Sequence, residues 1–518
     1  ICVSLLLAKM SFTDDENIVT QDISSDGKAE LAGRVKVDIK NDPNAPLEKS
    51  KFIVMLKLTG AGFSKARPGL DLVMVLDISP SMLGEDKFGK MKIAAKFVIK
   101  KLSPIDRLSI VTFDDDAERL FRLSVVTKES QKKFEDQVQA LVVRCCTNII
   151  AGLETGVKVL NERSVTTRRV AAIMLMSDGY HNRAGDPSKF VVKNYPVYTF
   201  GFGADHNPKV LNAIACNSLG GTFSEVRDPD NLSLAFSQCV AGPLTVVAED
   251  LTLTITQDES TIKEVSAGNY TKPEDIEDGS VTILFGDLYD KEIRNITVTL
   301  CLPEITSERR SNVLNIQYTY RVGGKLFPAD PLSVLINRTK KYVKRVIYEL
   351  MIEEKRYWIT QMITIAIVAA EDNNLEVAKK KLNEAQTLID KVDFPNPLTE
   401  MLKVEVQQLL TLLKTEQTYK ARGRSFALSS ETSHNRQRYA TRGDTGVRLY
   451  STPRMDKYLK EAKLFVENPN NPLPTADENE KEELAADPLG PIAGALSYHI
   501  WTAIRSLMAI DDIINKSH

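Results

Sequence analysis

From Leu70 to Val240 the chain alternates strongly apolar runs with amphipathic helical stretches, a texture that few folds accept. The runs DLVMVLD (71–77), RLSIVTF (107–113), VAAIMLMSD (170–178) and PVYTFGFG (196–203) are too apolar to be half-exposed strands. Buried on both faces, they predict a parallel sheet with helices packed on each side. Helices are expected at about 88–102, 129–142, 148–162, 207–216 and 229–239, punctuated by Pro104 and by Asn207-Pro208. ERLFRL (118–123) reads as an edge strand, joined to 107–113 by an exposed hairpin across Asp114–Asp116.

The segments on either side share another period. RVKVDIK and FIVMLKLTG precede the α/β unit, and LTLTITQ, SVTILFGDL, EIRNITVTLCLP and VLNIQYTYRV follow it. All alternate apolar and polar residues, as antiparallel sandwich strands do. The simplest architecture is a β-sandwich (34–66 and 242–338) into which a doubly wound α/β domain (67–241) is inserted. From 339 to 425 a 3.6-residue period takes over, broken at DNN (372–374) and DFPNP (393–397), which predicts a three-helix antiparallel bundle. Its most apolar stretch, ITQMITIAIVAA, falls well short of the ~20 residues of a membrane span, so no transmembrane segment is expected.

Residues 11–30 are polar and acidic, and 1–33 are expected to be a disordered N-terminal segment. The apolar run in ICVSLLLAK is too short for a span and lacks the basic flank of a signal peptide, and Met10 opens a plausible start. Residues 426–485 read as a polar linker region, flexible and acidic over NPNNPLPTADENEKEE, and 486–518 as a C-terminal amphipathic helix.

Composition excludes more than it assigns. A net charge of −2 offers no basic field for nucleic acid. The six cysteines form no C-x-x-C pair and no zinc spacing, so reduced, mostly buried thiols in a cytoplasmic protein are expected. GFGADH (201–206) lacks the third glycine of a dinucleotide loop, and no GxxxxGK[ST] occurs. The five histidines form no cluster, and His181 is expected to be solvent-exposed. Arg442-Gly443-Asp444 is read as a coincidental tripeptide. With no nucleophile–base pair in view, the protein is expected not to be an enzyme.

Chemistry gathers instead at strand exits. The run DLVMVLDISPSM ends a strand on Asp77 and places Ser79 and Ser81 at alternate positions of the following turn. Thr147 precedes the helix NIIAGLETGVKVL, and Asp178 stands at the exit of VAAIMLMSD. Turns at the carboxyl ends of parallel strands line one crevice, so these three segments can converge. Two carboxylates and three hydroxyls, with no sulfur or imidazole, suit a hard cation such as Mg²⁺ or Mn²⁺ and disfavour zinc.

DISPSM, Thr147 in CTNI, and MSDG together resemble the metal-ion-dependent adhesion site of von Willebrand factor A domains at all five positions. Pro80 stands where glycine is frequent in that family, and Cys145-Cys146 replace a small glycine pair, adding bulk beside the site. Beyond that domain, the MSFTDDE start, ETSHNRQRYATRGD and STPRMDKYLKEAKLF resemble plant cytosolic von Willebrand factor A proteins, some of which carry a RING finger. The inserted arrangement is also similar to inter-α-trypsin inhibitor heavy chains and, more loosely, to COPII coat proteins. A RING needs about eight closely spaced Cys/His ligands; these 518 residues hold no such set, so ligase activity is not carried over.

The resemblance implies a non-enzymatic interaction module. Asp77, Ser79, Ser81, Thr147 and Asp178 would hold Mg²⁺ or Mn²⁺, and a protein partner would present an Asp or Glu carboxylate to it. Loops around Pro80, Asn148, Gly179 and Tyr180 would supply specificity. The alternatives are an adaptor or substrate-recognition subunit of a ubiquitin ligase and a metal-dependent hydrolase.

Overall fold

The computed structural model describes residues 33–486 apart from 63–66, 228, 271–275, 277, 443–446 and 470. The disordered segment and the closing helix expected at the two ends lie outside the described residues.

Strands β1 (Val35–Lys40), β2 (Asn44–Pro46) and β3 (Ser50–Gly60) come first. The α/β unit follows, on β4 (Gly69–Asp77), β5 (Arg107–Phe113), β6 (Ala117–Val125), β7 (Arg169–Ser177), β8 (Val197–Phe202) and β9 (Phe223–Val226). In the order β6-β5-β4-β7-β8-β9 every pair is parallel except β5 with β6, the expected edge hairpin. Strand β9 is an addition that the apolar pattern does not announce.

Every residue of β4 and of β5 is buried, because helices cover both faces. Helices α1 (Lys87–Lys101), α2 (Lys128–Ala140) and α5 (Pro229–Ala241) share one core with the sheet, and α3 (Ile149–Asn161) and α4 (Pro208–Cys216) share the other. Helix α3 lies close to the sheet because Gly152 and Gly156 face it. A Cβ there would stand 2.8 Å from Phe113 Cδ1 and 3.0 Å from Val75 Cγ2.

After Gly242 come β10 (Val246–Gln257), β11 (Thr261–Ser266), β12 (Ser280–Tyr289), β13 (Ile293–Leu302), β14 (Arg309–Val322), β15 (Lys325–Pro328) and β16 (Leu332–Thr339). These pair with the first three strands in two sheets, β1-β3-β13-β11 and β12-β10-β14-β16-β2, with β15 on β14. Alternate residues of both sheets, such as Val54, Leu56, Leu253, Ile255, Ile296 and Ile316, close on a common apolar core. Helices α6 (Tyr348–Glu371), α7 (Leu375–Asp390) and α8 (Pro397–Leu412) then begin the helical region. Asn374 and Asn396, in the two expected breaks, accept N–H bonds as the N-caps of α7 and α8. Among the described residues no helix is long and apolar enough to cross a membrane.

The expected polar linker, 426–485, is not one. Most of it folds into α9 (Arg424–Arg436), α10 (Pro453–Glu467) and α11 (Ala476–Ala486), and α9 is buried along most of its length. Polar side chains of α9 and of the residues just after it leave water where they meet distant partners. His434 Nε2 lies 2.8 Å from Glu405 Oε2, and Arg442 Nε lies 2.7 Å from Glu405 Oε1. Arg436 Nη2 donates to the carbonyls of Cys216 (2.8 Å) and Ser218 (2.9 Å), and Arg438 Nε to Glu292 Oε1 (2.8 Å). The acidic tail is also engaged: Arg67 Nε donates to Asp477 Oδ1 at 3.1 Å, and Lys101 Nζ to Asn479 Oδ1 at 2.7 Å. Arg442 of the Arg-Gly-Asp tripeptide is buried, while the other two residues lie outside the described ones. Expected burial of the thiols also fails for Cys145, which is exposed, and for Cys146, Cys216 and Cys301, which are partly so.

Burial alone would raise the Glu405 pKa, but Arg442 and His434 outweigh it and hold the carboxyl at about 2. A depressed carboxyl pKa stabilises the fold fully above the unfolded value near 4.5, and the gain is lost as pH falls towards 2. Glu405→Gln leaves Arg442 buried without its counter-charge and should cost on the order of 3 kcal/mol. Urea unfolding at pH 7 measures that loss; the gap to the parent protein should narrow between pH 4.5 and 2, and a gap independent of pH would show that the Glu405 charge is not what stabilises.

Candidate metal centre

The chain leaves β4 for β5 on one side and returns through β7 on the other, so the carboxyl ends of β4 and β7 border the crevice of the sheet. Asp77 is the last residue of β4, and Asp178 follows the last residue of β7. Both are fully buried. Asp77 Oδ1 accepts the Ser79 N–H at 2.9 Å, and Oδ2 accepts the Ser177 hydroxyl at 2.5 Å. The Ser79 and Ser81 hydroxyl oxygens lie 3.0 Å apart. Burial and the negative charge of Asp178 push the Asp77 carboxyl up to about 7, against the hydrogen bonds from Ser177 and Ser79.

Thr147 is buried, and its turn is stitched to the loop that follows Asp178. The Thr147 N–H donates to Asn182 Oδ1 (2.9 Å), the Asn182 N–H to the Thr147 carbonyl (3.1 Å), and the Ile149 N–H to His181 Nδ1 (3.2 Å). The structure thus brings Asp77, Ser79, Ser81 and Asp178 together and sets the Thr147 turn against them. His181 is half-buried rather than exposed, because its ring accepts the first N–H of α3. Of the residues expected to meet a partner, Pro80 and Tyr180 are exposed and Asn148 is half-buried as the N-cap of α3. Gly179 is buried and turns at φ 75°, where a Cβ would meet the Asn207 carbonyl oxygen at 2.7 Å, so it shapes the loop from inside.

Sequence reasoning missed Lys87. Its ammonium lies 3.3 Å from Asp178 Oδ2, 2.6 Å from Asp205 Oδ1 and 3.2 Å from the Ser81 carbonyl oxygen. Burial alone would lower its pKa, but Asp205 and Asp178 outweigh that and raise it. The only signal in the sequence is its place at the start of the helix that follows DISPSM. Cys146 adopts φ 63°, a conformation glycine reaches without cost, and its Sγ lies 2.7 Å from Arg183 Nη2. The cysteine pair therefore adds bulk at the rim rather than among the donor oxygens.

The residues fit a hard divalent cation. Two buried carboxylates repel each other beside hydroxyl oxygens, and no soft donor is in the set. Among the described residues no cluster of three or more His, Cys, Asp or Glu could hold a metal without hydroxyls.

Residues 71–238 match the family model of the von Willebrand factor type A domain, and residues 396–464 match one described as VWA / Hh protein intein-like. The chain is similar to the E3 ubiquitin-protein ligase WAV3 of Arabidopsis thaliana, 27% identical over 271 residues covering 49% of this chain and 34% of the relative. It is similar to the probable E3 ubiquitin-protein ligase WAVH2 of the same plant, 27% identical over 319 residues covering 57% of this chain and 42% of the relative. The chain therefore spans less than half of either relative. A solved von Willebrand factor type A structure from Catenulispora acidiphila shares the fold, with TM-score 0.62 over 81% of this chain and 99% of that one at 16% identity.

These findings overturn the expectation that the protein is not an enzyme. The relatives are named as ubiquitin ligases, which are enzymes, and the lack of a legible nucleophile–base pair bears only on reactions that need one. The chain carries a von Willebrand factor type A domain and is homologous, at modest identity, to the plant A-domain E3 ubiquitin-protein ligases.

Proposed function

We propose that this protein is the recognition part of a ubiquitin-ligase system. Its A domain holds Mg²⁺ or Mn²⁺ on Asp77, Ser79, Ser81, Thr147 and Asp178 and captures a protein partner through an Asp or Glu carboxylate. The observation that carries this reading is the meeting of buried Asp77 and Asp178 with the Ser79 and Ser81 hydroxyls in the sheet crevice. When bound, the cation supplies an electrophilic charge that attracts a carboxylate.

The chain's own residues do the rest. Ser79 N–H and Ser177 Oγ fix both oxygens of Asp77, Lys87 steadies Asp178, and Pro80 and Tyr180 present the surface that selects the partner. The two β-sheets before and after the A domain act as a sandwich scaffold into which it is inserted, and the helical region braces it. The relatives' names favour a partner that is delivered for ubiquitin transfer.

Three measurements test this. Millimolar Mg²⁺ should raise the melting temperature, since binding to the folded state alone adds about 1.4 kcal/mol at ten times Kd. Asp77→Ala should abolish the rise; an equal rise in the variant sinks the site assignment. Affinity capture from plant extract should yield proteins that are lost both in EDTA and in Asp178→Ala, whereas capture indifferent to both would place recognition on another surface. Lys87→Met removes a positive charge beside the site and should tighten Mg²⁺ binding about fivefold, on the order of 1 kcal/mol. Calorimetric titration reads this, and weaker or unchanged binding would show that Lys87 does not oppose the cation.

A further inference from the structure

A cleft of about 310 Å³ opens between the end of β9 and the helical region, away from the donor oxygens of the candidate metal centre. Three guanidinium groups, Arg227, Arg422 and Arg442, line it together with the carboxyl of Glu225. Arg227 is held by Glu225 and donates through Nη2 to the Ala421 carbonyl at 2.6 Å. Its own carbonyl accepts from Lys90 Nζ at 2.8 Å, which ties the cleft wall to α1. Arg442 is 2% exposed. It has Nε 2.7 Å from Glu405 and gives Nη1 to the Ala440 carbonyl at 3.2 Å, while its Nη2 is buried and has no hydrogen-bond partner among the described residues.

The charges do not balance. Glu405 offsets Arg442, which leaves Glu225 to face both Arg227 and Arg422 and the cleft with one positive charge in excess. A buried guanidinium N–H without a partner is costly, and its fork matches a planar or tetrahedral oxyanion. Leu412 and Phe426 add apolar surface to the same cleft. A volume of this size stands at the small end of ligand sites.

We propose that this cleft binds a small carboxylate or phosphate monoester with a partly apolar body, clamped between Arg422, Arg442 and Arg227. Its walls come from the A domain and from the helical region, so a ligand here locks one to the other. This does not depend on metal binding, and samples stripped of metal on a chelating resin, with no soluble chelator added, keep the two questions apart.

The probes are benzoate, phenyl phosphate and inorganic phosphate, each against sodium chloride at matched ionic strength, read as the melting temperature of the full chain. At least one should give a saturable rise; benzoate alone identifies a carboxylate, and the phosphate probes alone identify a phosphate. Arg422 is exposed and its loss should not unfold the protein, so Arg422→Gln should shift half-saturation to at least tenfold higher concentration. Glu225→Gln, which removes the competing carboxyl, should lower it several-fold. No saturable rise beyond the chloride control, or a rise unchanged in Arg422→Gln, overturns the proposal.

Discussion

The A domain depends on what happens to two carboxylates of one strand. Asp71 and Asp77 stand near opposite ends of β4, and both are fully buried. A buried charge is tolerated only where it is paired and hydrogen-bonded. Asp71 is saturated: it accepts from Arg107 Nε and Nη2 (2.7 and 2.6 Å), Arg169 Nε (2.6 Å) and Arg163 Nη1 (2.9 Å). Because Arg107 opens β5 and Arg169 opens β7, those bonds lock the central strand to both neighbours at the amino end of the sheet. Asp77 has no such forks. It is held by hydroxyls and one backbone N–H and faces a second carboxylate. Stability is thus invested at one end of the strand, and an unsatisfied charge is left at the other.

The remainder of the molecule is joined by polar contacts that hydropathy cannot see. Residues 424–442 hold few apolar side chains, yet this segment runs between the helical region, the A domain and the two flanking sheets. Arg438 packs its guanidinium 3.9 Å over the Tyr289 ring while bonding Glu292, and Arg294 Nη1 donates to the Gln437 carbonyl at 2.6 Å. Each of these arginines would be costly to bury alone. Arg294 also pairs with Glu292 two residues before it. The contacts that join it to Gln437, and Arg438 to Tyr289 and Glu292, span more than a hundred residues, and no window of sequence contains them.

That contrast explains how much could be read beforehand. Strands β4, β5, β7 and β8 were legible because burial on both faces demands unbroken apolar runs. The meeting of the candidate site residues was legible because a parallel sheet puts its crevice at strand exits, where Asp77 and Asp178 stand out against apolar neighbours. Strand β9, FSEV, was not, since a four-residue edge with a buried Glu225 paired to Arg227 has no apolar run to show. Residues 426–485 were misread for the same reason: composition reports what water would accept, and tertiary partners replaced the water. His181 and the exposed Cys145 turned on local backbone geometry at α3 that no periodicity encodes.

Lys87 sets the charge at the site, and with it the kind of group the site can accept. Asp77 and Asp178 carry two negative charges between them when ionised, and the Lys87 ammonium returns one positive charge. Asp205 adds another negative charge, but it is 60% exposed and therefore largely screened by water. The buried ensemble is left with a single negative charge, enough to favour a cation but too little to neutralise a dication. With a divalent ion in place, as proposed, the balance turns positive by one unit, and the mouth of the crevice becomes attractive to an anion. A neutral side chain in place of Lys87 would bring that sum to zero and leave a structural ion with no reason to recruit a ligand. On the proposed reading, the lysine that would weaken the hold on the cation is thus the residue that would preserve its pull on a partner's carboxylate.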